Sequence, residues 1–241
     1  MRLYIDAGNT RIKWCLLDGR SVVQSGACDN GDAKVFAEIS AEAVDHIAVS
    51  TVISDEARKN LALILQSRFG VVPLFYWPEP LQCGVQCAYA QPELLGADRW
   101  HALIGARAIT SSALVVVDAG SAITVDFLDS EGVHLGGYIL PGKRLMEDSL
   151  KTNTARVNFG QSDDLRSEPG RSTASCVRHG LNWLFGGLGA KLEADCQMRG
   201  IDTVYLTGGD AHLMSAAGMP GEVVPELVLS GLVAVDLERA S

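Results

Sequence analysis

The tripeptide Asp-Ala-Gly occurs twice in this chain, each time after a short apolar run and before a small polar residue. The first copy reads Tyr4-Ile5-Asp6-Ala7-Gly8-Asn9-Thr10 and continues into Arg11-Ile12-Lys13-Trp14. The second reads Val116-Val117-Asp118-Ala119-Gly120-Ser121-Ala122 and continues into Ile123-Thr124-Val125-Asp126. Each reads as a strand, a tight glycine turn and a returning strand. Such a turn can aim backbone N–H groups at a phosphate while the carboxylate at its base holds a cation. One copy in each half predicts two related lobes closing on one nucleotide, the outline of a phosphoryl-transfer protein.

The order of elements extends this division. Arg2–Asp6, Ile12–Leu17 and Val22–Gly26 read as an antiparallel meander, with Asp18-Gly19 as a turn. A polar stretch at Asn30–Ala33 precedes an expected helix to about Ser40 and a buried strand at His46–Ser50. Ser54-Asp55-Glu56 starts a helix with apolar positions Leu61, Ile64, Leu65 and Phe69. Val71–Tyr76 is expected as a strand, followed by an irregular segment to Pro92 and a helix from Gly96–Asp98 to Ile109. Thr110-Ser111-Ser112 is the best linker, giving domains 1–111 and 112–241. Beyond it the opening is restated as strands Leu114–Asp118, Ile123–Leu128 and Val133–Ile139. Helices at Lys143–Lys151 and Ser175–Arg199, a strand at Thr203–Thr207 and a helix at Leu227–Arg239 follow. The class is α/β, with a mixed sheet in each lobe. Ser162–Ser175, rich in Gly, Ser and Pro, reads as a surface loop.

Composition excludes several functions. Of 241 residues, 47% are hydrophobic, so a core forms without disulfides or a structural metal. A net charge of −9 and the lack of a Lys/Arg cluster argue against direct nucleic-acid binding. The start meets a charge, Asp6, after only three apolar residues, so neither a signal peptide nor a membrane span is expected there, and a cytoplasmic protein is expected. Of six cysteines only Cys83 and Cys87 lie close, and they lack a second ligand pair for zinc. Reduced thiols are the expectation. His101, His134, His179 and His212 lack metal spacing and read as structural or exposed.

Three further segments carry chemistry. Thr207-Gly208-Gly209-Asp210 follows a strand and lets adenosine or its ribose approach the backbone, or is a plain strand-to-helix turn. Gly96-Ala97-Asp98-Arg99 opens a helix. There Asp98 can accept a hydroxyl proton and Arg99 can hold a carboxylate or phosphoryl group, or the two are a cap and a surface arginine. Gly137–Lys143 imitates a P-loop, but Arg144 stands where that loop needs Ser or Thr, so a strand end leading into a helix is expected.

Together these segments resemble the type III pantothenate kinases of the sugar kinase, heat-shock chaperone and actin superfamily. The resemblance spans almost the whole chain through D-x-G-N-T at Asp6–Thr10, Y-x6-G-x-D-R at Tyr89–Arg99 and D-x-G-[TS]-A-x-T-x-D at Asp118–Asp126. G-G-x-I-x-P-G at Gly136–Gly142 and T-G-G-D at Thr207–Asp210 complete it. It implies two lobes of the actin-like ATPase (ribonuclease H-like) fold and ATP-dependent phosphorylation of pantothenate, the first step of coenzyme A synthesis. By that resemblance Asp6, Ala7, Gly8, Asn9, Thr10, Arg11, Ile12, Lys13 and Ser121 bind ATP, and Asp98 accepts the proton. Tyr89, Gly96, Ala97, Asp98, Arg99 and Thr173 bind pantothenate. Asp118 holds a monovalent cation, potassium or ammonium, and Asp6 a magnesium ion. A homodimer with no nucleic-acid or membrane partner is implied. The chain has Ser121 where the family usually has Thr, which keeps the hydroxyl. The alternatives are a superfamily kinase for another small hydroxylated substrate and a regulatory accessory protein.

Overall fold

The computed structural model describes residues 1–30, 36, 38–160 and 164–240. The helix expected before Ser40 lies largely outside the described residues, as does part of the loop Ser162–Ser175. Contacts divide the chain into two compact units. The first comprises Met1–Ser111, Gly132–His134 and Glu226–Ser241, and the second Ser112–Glu131 and Leu135–Pro225.

The first unit is built on strands β1 (Arg2–Ala7), β2 (Arg11–Asp18), β3 (Ser21–Asp29), β4 (His46–Thr51) and β5 (Leu74–Phe75), in spatial order β3-β2-β1-β4-β5. β1 pairs antiparallel with β2 from Arg2↔Leu17 to Ala7↔Ile12, and parallel with β4 from Arg2↔His46 to Ala7↔Thr51. Leu3, Tyr4 and Ile5 are all buried, as a central strand covered on both faces requires. Helix α1 (Asp55–Phe69) starts where the Ser54 hydroxyl accepts a hydrogen bond from the Ala57 N–H at 3.3 Å. It ends at Gly70, whose φ of 71° is left-handed. Leu61, Leu65 and Phe69 point into a core with Leu3, Ile5 and Trp14.

Two expectations need correction here. Instead of Val71–Tyr76, the strand is Leu74–Phe75, starting after Pro73, which offers no N–H to the ladder, while the Tyr76 N–H still donates to Val49 of β4 at 2.9 Å. The segment expected to be irregular contains a small hairpin, β6 (Leu81–Gln82) and β7 (Val85–Gln86). Its turn residues Cys83 and Gly84 both have positive φ, 50° and 73°, as a type I′ hairpin demands. Cys is an unusual residue for that role. Both carboxylate oxygens of Glu238 accept from its backbone N–H at 3.0 Å and hold the conformation.

Helix α2 (Ala97–Ile109) also belongs to this unit and packs on a helix from the far end of the chain. Gly105 of α2 faces Gly231, and a Cβ on Gly231 would overlap the His101 carbonyl oxygen and lie 2.9 Å from the Gly105 nitrogen. The two backbones touch because neither residue has a side chain. Gly231→Ala is therefore expected to destabilise the chain by about 1–3 kcal/mol, read as a lower Tm in thermal unfolding. An unchanged Tm would show that the crossing is not tight.

The second unit repeats the topology. Strands β8 (Leu114–Ala119), β9 (Ala122–Leu128), β10 (His134–Pro141), β11 (Thr203–Thr207) and β12 (Glu222–Val223) lie in the order β10-β9-β8-β11-β12. Antiparallel β8–β9 and parallel β8–β11 pairings match those around β1. Helix α3 (Lys143–Asn153) follows β10 directly with Gly142 as its N-cap, so the P-loop imitation is a strand leading into a helix. Helix α4 (Thr173–Arg199) opens with a reciprocal Ser172–Ser175 capping box. Short helix α5 (Ala211–Ala216) follows β11. The partner of α2 in the first unit is α6 (Leu227–Arg239). All six cysteines are free thiols. Among the described residues no helix is long and apolar enough to cross a membrane.

Candidate functional site

The first Asp-Ala-Gly turn is closed by the Gly8 N–H donating to the Arg11 carbonyl at 3.0 Å. A side chain at Gly8 would come within 3.2 Å of that oxygen, which favours glycine there. Asn30, just beyond β3, fixes the rest of the turn. Its side-chain amide donates to the Gly8 and Asn9 carbonyls at 3.1 and 3.3 Å, and its backbone N–H donates to Thr10 at 2.9 Å. Carbonyls held this way set the peptide planes, which is what a cradle of N–H donors requires. No sequence pattern singles out Asn30. Its position depends on a register shift between β2 and β3 at Leu16/Leu17.

Asp6 sits at the base of this turn, paired in register with Lys13 on β2 and Ser50 on β4. Lys13 is in ion-pair contact with Glu226 at 3.3 Å. Both side chains are partly exposed, so exchanging this partner for a phosphate costs little. The Ser50 hydroxyl is 2.7 Å from His101 Nδ1, whose ring is fully buried on α2. Burial lowers the His101 pKa to about 3, against a smaller upward pull from the Ala97 backbone, so the imidazole is neutral at ordinary pH.

The helix bearing Asp98 starts at Gly96. A side chain there would lie 2.6 Å from Asp98 Oδ1, the oxygen that accepts from the Arg99 N–H at 2.7 Å. Arg99 is buried and donates from Nη1 to the Tyr89 hydroxyl at 3.2 Å. The structure thus brings Tyr89, Gly96, Asp98 and Arg99 together within the first unit. A half-buried carboxylate held by the backbone N–H of a buried arginine can take a proton while that arginine's side chain binds an anion.

In the second unit Asp118 is paired in register with Thr124 and Thr207. Its turn is closed by the Gly120 N–H donating to Ala122 at 2.9 Å. It is one residue shorter than the first, pairing Ala119 with Ile123 where the other pairs Ala7 with Ile12. Gly208 has a φ of 92°, and a Cβ there would overlap Asp118 Oδ1 and the Ala119 carbonyl. A Cβ on Gly142 would overlap the Gly120 carbonyl and lie 2.6 Å from that of Ser121. The Asp118 carboxylate and the Ala119 carbonyl thus lie against Gly208, and the Gly120 and Ser121 carbonyls against Gly142. This set of hard oxygen donors with a single charge suits potassium better than zinc. Among the described residues no group of three His, Cys, Asp or Glu is placed to hold a metal. At the end of the T-G-G-D segment, burial raises the Asp210 pKa, with nearby Lys143 pulling it back.

Thr173 is the first residue of α4 and is exposed. It lines an open apolar depression of about 500 Å³ with Leu150, Val157, Val177 and Leu181, and none of the other predicted site residues lines it.

Known proteins resemble this chain over most of its length. The family model for type III pantothenate kinase matches residues 2–192. A type III pantothenate kinase from Marinobacter nauticus is 43% identical over 234 residues, covering 96% of each chain. One from Ectopseudomonas mendocina is 36% identical, covering 96% of this chain and 97% of its own. Among solved structures, component A of Acidaminococcus fermentans (R)-2-hydroxyglutaryl-CoA dehydratase superposes with a TM-score of 0.58 at 16% identity. It covers 100% of this chain and 99% of its own. The activator of 2-hydroxyisocaproyl-CoA dehydratase from Clostridium difficile, solved with ADPNP, gives 0.55 at 13% identity, covering 99% and 96%. At such identities these two speak for the actin-like ATPase fold alone.

Proposed function

The chain belongs to the type III pantothenate kinase family, and on that premise we propose that it transfers the γ-phosphoryl group of ATP to the primary hydroxyl of pantothenate. The product, 4′-phosphopantothenate, enters coenzyme A synthesis. The observation that carries this reading is the Tyr89–Arg99–Asp98 cluster, which pairs an anion holder with a proton acceptor. In this proposal Arg99, Tyr89, Gly96 and Ala97 hold the acceptor, Thr173 is assigned to it by the family resemblance alone, and Asp98 takes the hydroxyl proton. The hydroxyl oxygen bonds to the γ-phosphorus as the bond to the β–γ bridging oxygen breaks, and ADP leaves. Residues Asp6 to Lys13 and Ser121 contact ATP, where backbone donors and Lys13 offset phosphate charge.

Asp6 would hold magnesium, which needs only one or two carboxylates beside phosphate oxygens and water. Asp118 with the carbonyls of its turn would hold potassium or ammonium. When bound, these ions neutralise phosphate charge. By similarity to the family we assign the chain to the cytoplasm as a homodimer, and a monomer mass in light scattering would remove the dimer.

An ADP-release assay comparing pantothenate with hexoses, with and without potassium, tests the function. Turnover is expected with pantothenate and is raised by potassium. Turnover of a sugar but not pantothenate would overturn the assignment. Asp118→Asn should lose the potassium response, and an unchanged response would remove the cation from Asp118.

A further inference from the structure

His134 is not among the residues that the family motifs single out, yet it holds one of them. It is buried at the start of β10, and its ring stacks on Tyr89 with centroids 6.3 Å apart and planes 12° from parallel. Tyr89 has no regular element of its own. It lies between β7 and a 3-10 turn at Pro92–Leu94, so its own backbone does little to orient the ring. The residues leading into His134 are, by contrast, firmly seated. The Gln86 N–H donates to the Gly132 carbonyl at 2.8 Å, and Gln86 forms a parallel bridge with Val133. Gly132, with a φ of 88°, sits so close to Gly84 that a Cβ would overlap the Gly84 carbonyl.

We propose that His134 is a positioning residue for acceptor recognition, because its stacked ring fixes the Tyr89 plane and so places the phenol oxygen against Arg99 Nη1. The proposal rests on the reading that Tyr89 and Arg99 bind pantothenate, and adds the residue that makes them act as a pair. A guanidinium held against a fixed phenol keeps one orientation toward a carboxylate. When the ring can tilt, that orientation is lost and acceptor affinity falls, while ATP binding is untouched.

The test compares two space-filling variants, His134→Phe and His134→Leu. Both fill the buried site, but only Phe supplies a ring plane. His134→Leu is expected to raise KM for pantothenate about three- to tenfold, the size of one aromatic pair, with KM for ATP unchanged. His134→Phe is expected to stay within about twofold of the parent, a difference within the scatter of one aromatic contact. In a Tyr89→Ala background, His134→Leu should add nothing further to the pantothenate KM, since the proposed route runs through that ring. Equal pantothenate KM values for Phe and Leu would overturn the proposal, as would a full additional loss in the Tyr89→Ala background. Tyr89→Phe and Arg99→Gln separate the two levels of the claim. If neither raises KM for pantothenate, the underlying site assignment fails. If both do and His134→Leu does not, the assignment stands and His134 has no part in it.

Discussion

Asp98→Asn is expected to bind ATP normally and to lose about 10²–10⁴-fold in kcat, the usual contribution of a positioned general base. Asparagine is a clean probe at this position. Asp98 Oδ1 accepts from the Arg99 N–H at 2.7 Å, a bond that an amide oxygen can also make. The start of α2 and the Arg99–Tyr89 contact are therefore retained, and the variant removes mainly the basicity of the group. The packing of Gly96 against that oxygen is also preserved, since the amide is nearly isosteric. Steady-state ADP formation reads kcat, and calorimetric titration reads ATP binding. Near-parental turnover would remove Asp98 from proton transfer. Loss of ATP affinity would mean that the change had disturbed more than the acceptor side.

Asp236→Ala is expected to cost about 3 kcal/mol of stability, the low end of the range for breaking a buried ionic network. Asp236 is 2% exposed at the C-terminal end of α6. Its Oδ2 accepts from Arg2 Nη1 at 3.0 Å and from the Tyr4 hydroxyl at 2.8 Å. Its Oδ1 accepts from the Tyr76 hydroxyl and lies 2.8 Å from His46 Nε2. One carboxylate thus ties α6 to β1, β4 and the end of β5. Without it the hydroxyls of Tyr4 and Tyr76 are left buried without this partner, whereas Arg2 and His46 reach water, which sets the low estimate. For a chain of this length the corresponding fall in Tm is roughly 6–12 °C.

The same residue sets a pH signature. Burial alone would push the Asp236 carboxyl up, but hydrogen bonds from Tyr76 and Tyr4 and the nearby His46 outweigh it and hold it below its ordinary value. A carboxyl depressed in the folded state gives stability that is complete above its unfolded pKa, about 3.9. That stability is lost as pH falls through the folded value. The parent should therefore lose stability on acidification below about pH 4, and Asp236→Ala should show a shallower decline there. Burial pushes the Tyr76 hydroxyl up to about 12, with Asp236 adding to the shift, so its half of the network stays protonated across neutral pH. Parallel acid limbs in parent and variant would contradict this account of Asp236.

Local chemistry makes part of this fold legible. Both turns announce themselves by an apolar run, a carboxylate and a glycine, and β11 and α6 have the bounds expected from the sequence. Ser54 and Gly70 bracket α1 for reasons visible in a single chain. What is not legible depends on partners far away. Asn30 reaches back 22 residues to Gly8, Glu238 reaches 155 residues to Cys83, and Asp236 reaches 234 residues to Arg2. The Gly105–Gly231 crossing joins helices from opposite ends of the chain, and neither glycine is distinguishable from an ordinary weak spot in a helix. His134 is the functional counterpart. Its spacing suggests nothing, and only the folded chain sets its ring on Tyr89.

The most direct test of the whole account is a phosphorus NMR spectrum of the purified protein with ATP, magnesium, potassium and pantothenate. A phosphomonoester signal that grows in step with ADP, and stays absent with Asp98→Asn over the same interval, is the predicted result. ADP accompanied by free phosphate and no ester, or ester formed equally fast by Asp98→Asn, would contradict it.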